Sequence, residues 1–204
     1  MKYYSYVIPR DFGFAPNPYF GYCTLATCKP LIRKNAQIGD WIGAFGAAVT
    51  PFRGKLVLLM KVGEVQTFNQ YWNDSRFKIK HPVFNRGVLH MYGDNIYHNV
   101  DGMWLQDPSH HSNEDGSINY VNLNRDTKTD RVLIATEFYY FGNNAVCIPE
   151  EFSVLVGCGR NHRLCKDEEI IYNFISYMSQ NYDMGIHGTP YSRRTGKFAH
   201  YRGE

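Results

Sequence analysis

Gly39-Asp40-Trp41-Ile42-Gly43-Ala44-Phe45 is the segment around which the remaining elements are organised. A Gly-Asp turn delivers the chain into a short apolar run, which reads as a buried strand. Working outward, residues 2–8 are aromatic and β-branched and stop at Pro9, so they form an opening strand. Residues 55–60 and 62–67, rich in Val and Leu, fit a strand that continues past Gly63 or bends there. Residues 132–141 and 145–148 read as two further strands joined at Gly142-Asn143-Asn144. Only residues 167–180 are clearly helical: Ile170, Ile171, Phe174, Ile175 and Met178 share a face, and Asp167, Glu168 and Glu169 fill the first turn. Strands that do not alternate with helices favour an α+β fold with a bent, barrel-like sheet over a doubly wound parallel sheet. Between these elements, residues 75–130 are an irregular insertion too long to be a mere connection.

The chain has 204 residues, is 44% hydrophobic and 16% aromatic, and carries a net charge of +3. That length suits one core-bearing domain over residues 1–190, followed by a basic, partly disordered tail over 191–204. The longest uncharged apolar run, residues 41–49, is far below the roughly 20 residues of a membrane-spanning helix. The N-terminus lacks the apolar centre of a secretory signal, and the five cysteines are scattered, which together predict a cytoplasmic protein with reduced thiols. The net charge alone is too small to establish a nucleic-acid partner.

Residues 31–77 present a basic short helix, Ile38-Gly39-Asp40-Trp41-Ile42, the strand Lys61-Val62-Gly63-Glu64-Val65, and then Tyr71-Trp72-Asn73-Asp74-Ser75-Arg76-Phe77. This order resembles the PUA-like superfamily, especially its EVE and YTH branches, which implies a barrel cradling a single, often modified, nucleobase. Ala15-Pro16-Asn17-Pro18, Cys28-Lys29-Pro30-Leu31-Ile32-Arg33, Gly39-Asp40-Trp41-Ile42, Gly93-Asp94-Asn95-Ile96-Tyr97 and Gly157-Cys158-Gly159-Arg160 together resemble the nucleotide modification associated domain 2 family of prokaryotic and viral proteins. That resemblance implies a DNA-base modification setting, with nucleotide or DNA and other DNA-modification proteins as partners, but no demonstrated reaction or cofactor.

The residues themselves offer several candidate sites. Asn17, Tyr19, Phe20, Trp41, Tyr71, Trp72 and Asp74 could line a base pocket by stacking and edge hydrogen bonds, or could be core and capping residues. Lys29, Arg33, Arg76, Gly159 and Arg160 could contact phosphate. Asp94, His110 and His111 lie on polar loops and suit acid–base catalysis, with solvated loop residues as the alternative. No metal site is expected, because Cys158, His162 and Cys165 miss the paired spacing of zinc ligands. Cys28, beside Lys29 with Arg33 one turn on, has the positive surroundings that lower a thiol pKa, although an inert cysteine is the commoner case. Three functions follow: binding of a modified base in DNA, an enzyme of base modification using loop Asp and His, and a protein-docking module.

Overall fold

The computed structural model describes residues 1–157, 159, 161–193 and 198–203. The chain runs through β1 (Tyr3–Ile8), β2 (Cys23–Leu25), α1 (Pro30–Asn35), β3 (Trp41–Gly46), β4 (Leu56–Lys61), β5 (Glu64–Gln66), α2 (Phe68–Asn73), α3 (Val88–Met91), β6 (Tyr97–Val100), β7 (Met103–Gln106), α4 (Tyr120–Asp126), β8 (Val132–Ala135), β9 (Phe138–Tyr140), β10 (Arg163–Cys165), α5 (Glu168–Asn181) and β11 (Gly185–Ile186). Single 3-10 segments lie at Ser75–Lys80, Gly142–Asn144 and Glu150–Leu155. No helix among the described residues is long and apolar enough to cross a membrane.

The residues form two compact units, each assembled from three chain segments. The first unit joins Met1–Asp11, Ala36–Gly63 and Ala135–Tyr191. Its sheet has the order β10-β1-β3-β4-β9-β11, with β1 parallel to β3 and β3 antiparallel to β4. The run at Trp41 is thus the fully buried strand that its apolar character requires, and Gly43 is obligatory there because a Cβ would overlap Tyr3 Oη. Asp167 caps α5 by accepting from the backbone N–H groups of Glu169 and Ile170, and Ile171, Phe174 and Met178 form its buried face. That face packs into a core with Tyr3, Trp41, Phe45, Leu59 and Tyr139, and the Tyr3 and Phe174 rings meet edge to face at 5.9 Å.

The second unit joins Phe12–Asn35, Glu64–Ile134 and Ser192–Glu204. It contains the sheet β2-β8-β5, the hairpin β6-β7 and the helices α1 to α4. Phe14, Phe68, Tyr71, Phe77, Tyr92, Tyr97, Leu123 and Ile134 are among its core residues. The capping box at Thr67 and Gln70 starts α2, and Asn119 caps α4.

The α+β reading therefore holds as mixed helix and sheet, but the expected closed barrel is absent among the described residues. The six-stranded sheet ends in β10 and β11, of three and two residues, and edges that short have too few ladder bonds to close it. Of the two readings at Gly63, continuation or a bend, the chain takes a break: β4 ends at Lys61, and β5 beyond it belongs to another sheet. Likewise residues 132–141 divide into β8 and β9 in different sheets, while Val146 makes only an isolated bridge to Leu56. In the closing segment, Phe198 joins the second core and the Tyr201 N–H donates to His110 O at 2.7 Å.

Candidate catalytic site

Cys28 lies between β2 and α1, where the chain takes two consecutive left-handed residues, Cys28 at φ 57° and Lys29 at φ 40°. Neither residue is glycine, so each costs on the order of 1–3 kcal/mol and needs external support. Two hydrogen bonds provide it: the Cys28 N–H donates to Asp126 Oδ1 at 2.9 Å, and Arg33 Nε donates to Cys28 O at 2.8 Å. Arg33 also donates to the carbonyls of Thr129, Arg131 and Asp126 at 2.8, 2.7 and 2.5 Å. The fully buried guanidinium thus ties the start of α1 to the segment following α4.

Asp126, the last residue of α4, is wholly buried. Its Oδ2 lies 2.8 Å from His111 Nδ1 and accepts from Tyr97 Oη at 3.0 Å. Gln106 Nε2 braces both partners, donating to Tyr97 Oη and to His111 O at 3.1 Å each. The other ring nitrogen of His111, Nε2, stands 3.8 Å from Cys28 Sγ. Arg125 completes the group: its Nε donates to Asp126 Oδ1 at 3.0 Å, and its Nη2 is 4.0 Å from Cys28 Sγ.

The charges follow from this geometry. Burial raises the Cys28 thiol, but the His111 charge and hydrogen bond, aided by Arg125, outweigh it and leave the thiol below its ordinary value. For His111, burial works downward, yet Cys28 and Asp126 raise it to about 9. Asp126 is held well below the usual carboxylate range, because His111 and Arg125 overcome the effect of burial. The thiol is thus biased toward thiolate beside an imidazole biased toward imidazolium and oriented by a carboxylate, the arrangement of a cysteine nucleophile with its acid–base partner.

The ligand atoms of Cys28, His111 and Asp126 lie within 4.8 Å of one another, close enough in distance for a metal ion. Asp126 fits that role poorly. Its oxygens already accept from Cys28 N, Arg125 and Tyr97, and it faces the His111 nitrogen turned away from Cys28. Only the thiol and one imidazole nitrogen would remain, beside a guanidinium, where zinc sites use three or four protein ligands.

His111 is thus the expected acid–base residue that the fold joins to a thiol. Asp94 is fully buried in a different network, accepting from Tyr71 Oη at 2.8 Å and Thr24 Oγ1 at 2.6 Å. Asn17 belongs to that network too, its Oδ1 accepting from the buried Lys80 Nζ at 2.8 Å. His110 sets Nδ1 on Ala199 O and packs its ring 4.6 Å from that of Phe12. Tyr19 lies under the Arg193 guanidinium, Phe20 lies 4.9 Å from His90, and Trp72 stacks on His98 at 3.8 Å. Asp74 and Glu64 clasp Arg76. Trp41 is in the core of the first unit, Lys29 adjoins Cys28, and Gly159 takes φ 64°. Arg160, Cys158, Arg194 and Lys197 lie outside the described residues. Arg125 and Asp126 were not singled out by sequence, since an Arg-Asp pair ending a short helix carries no local mark of a distant thiol.

Comparison with family models matches residues 1–197 to nucleotide modification associated domain 2. No curated protein and no solved structure matches the chain.

Proposed function

Because the chain belongs to the nucleotide modification associated domain 2 family, we propose that it is a nucleotide-modification enzyme that transfers or hydrolyses an acyl-type group through the Cys28 thiolate. The observation that carries this reading is His111 bridging Cys28 Sγ and Asp126 Oδ2. In the first half-reaction the thiolate attacks an ester, amide or thioester carbon. The Sγ–C bond forms, the bond to the leaving group breaks, and His111 Nε2–H gives its proton to the departing atom. In the second, neutral His111 takes a proton from an incoming hydroxyl, amine or water as that group attacks the thioester and releases Cys28. Asp126 fixes the ring tautomer and stabilises the imidazolium throughout.

The experiment is acylation of the purified protein by p-nitrophenyl acetate. A burst of p-nitrophenolate is expected, with one acetyl group on the peptide carrying Cys28 and none in Cys28→Ala. An equal burst in Cys28→Ala would defeat the proposal.

Recognition of a modified base in DNA is the second reading, supported by the family and by the half-buried Trp72 stacked on His98. It expects Trp72→Ala to lose affinity for a modified nucleoside while Cys28→Ala retains it.

A further inference from the structure

The second unit contains two arginines beside Cys28, and they are used differently. Arg33 is fully buried and spends its guanidinium on four carbonyl groups, as a structural clasp does. Arg125 leaves 26% of its side chain exposed. One edge of its guanidinium is fixed by Asp126, and one face lies 5.3 Å from the centre of the Tyr201 ring. Its Nη1 has no hydrogen-bond partner among the described residues, while Nη2 is 4.0 Å from Cys28 Sγ. The fork is therefore held in place with Nη2 beside the nucleophile.

Charge balance points the same way. The thiolate and Asp126 supply the negative charges of the cluster, whereas His111, Arg33 and Arg125 supply the positive ones, with Lys29 adjoining in sequence. Cations are in excess, and Asp126 has its oxygens committed. A further anion would balance the cluster, and a planar guanidinium fits a two-oxygen anion better than any neutral group.

We infer that Arg125 forms an oxyanion subsite beside Cys28, so that the substrate bears a phosphate or carboxylate group next to its reacting carbon. The inference rests on the thiolate reading above and adds a substrate class to it. A nucleotide phosphate and a carboxylated acyl donor share this chemistry.

The test compares alkylation of Cys28 by anionic iodoacetate and neutral iodoacetamide, followed by mass analysis of the Cys28 peptide. The ratio of the two rates cancels any change in thiolate fraction. Arg125→Gln is expected to lower the iodoacetate-to-iodoacetamide ratio about fivefold or more, the scale of one unit charge a few ångströms away in wet surroundings. Arg125→Lys, which keeps the charge but not the fork, should retain most of it. In the unaltered protein, inorganic phosphate or succinate should slow iodoacetate competitively; protection by phosphate alone assigns the subsite to a phosphate, and by succinate alone to a carboxylate. This competition needs no variant, so it decides the matter even where Arg125→Gln fails to fold. Rapid iodoacetamide reaction with an unchanged ratio and no protection would overturn the subsite and leave the thiolate standing. Sluggish reaction of Cys28 with both reagents would overturn both.

Discussion

Asp126 Oδ2 holds His111 Nδ1 at 2.8 Å, and this contact decides which ring nitrogen faces the thiol. Asp126→Asn preserves the shape but places either an amide N–H or a weaker neutral acceptor against the ring. Imidazolium loses its counter-charge, and the thiolate loses its partner. Alkylation of Cys28 at pH 6 should fall at least about tenfold, and turnover should fall further, since the equivalent change in a serine triad costs about 10⁴. Arg125 would also lose its charge partner, so the variant should unfold with a penalty of about 3 kcal/mol, the lower range for breaking a buried ion pair. An unchanged alkylation rate in a folded variant would count against the orienting role.

The pair also predicts an unusual pH profile. An ordinary thiol gains reactivity as pH rises through about 8.5. Here the thiol is lowered and His111 is raised to about 9, so Cys28 alkylation should stay nearly level from the lowered thiol value up to about pH 9. In His111→Gln, burial is left to dominate, and the reactive window should move above pH 8.5. Iodoacetamide rates measured from pH 5 to 10 read both profiles.

Stability should follow a different rule from reactivity. A raised His111 pKa contributes stability that is complete below about 6.5 and lost as pH rises toward 9. A lowered Cys28 pKa has the opposite slope, because the unfolded thiol keeps a proton that the folded one has lost. Thiolate plus imidazolium binds as many protons as thiol plus imidazole, so the two slopes cancel over the range below about pH 8.5 in which the folded thiol is ionised and the unfolded imidazole is neutral. Cys28→Ser removes the cancellation. Relative to the unaltered protein, its urea midpoint should fall with rising pH across that window, ending earlier than 9 because Cys28 no longer raises His111. Parallel midpoints for both proteins would show that His111 does not gain a proton on folding.

Arg33 makes the same loop a question of backbone support. Lysine retains the positive charge but cannot reach four carbonyls arranged around a planar fork. Arg33→Lys should cost about 3 kcal/mol, the loss of two or more charge-assisted hydrogen bonds. It should also slow alkylation of Cys28 at pH 6, because the left-handed pair at Cys28 and Lys29 loses one of its two ties. Denaturant midpoints and iodoacetamide rates check the two effects separately.

What the sequence disclosed follows the range of each interaction. The helix over Glu168–Asn181 and the strand at Trp41 were legible because a 3.6-residue period and a short apolar run are local properties. The basic setting of Cys28 was also local, since Lys29 and Arg33 are its neighbours on the chain. The triad was not: His111 lies 83 residues from Cys28, and the Cys28 N–H bond to Asp126 spans 98. Asp94, expected as an acid–base group, and Asn17, expected at a base edge, show the same dependence on range, because the network that buries them draws Lys80, Thr24 and Tyr71 from separate segments of the chain. The barrel expectation misled for a similar reason, as strand length at the sheet edges depends on tertiary pairing that no local pattern encodes.

Lys80 provides a test of that second network that is independent of the triad. It is fully buried, with Nζ donating to Asn17 O, Asn17 Oδ1, Tyr22 O and Thr24 Oγ1 within 2.8–3.0 Å. Burial nevertheless lowers it to about 8, with Asp94 opposing the shift. The folded form therefore releases its proton near pH 8, while the unfolded lysine keeps it to about 10.4. In that interval the unfolded state binds more protons, so stability contributed by this site rises with pH by up to about 1.4 kcal/mol per unit. Lys80→Met should be less stable than the unaltered protein at every pH, because Asn17 and Thr24 lose a donor, and the deficit should widen between pH 8 and 10. Guanidinium unfolding of both proteins at pH 7, 8.5 and 10 measures it; a deficit that stays constant would mean that Lys80 remains charged in the folded state across the whole range.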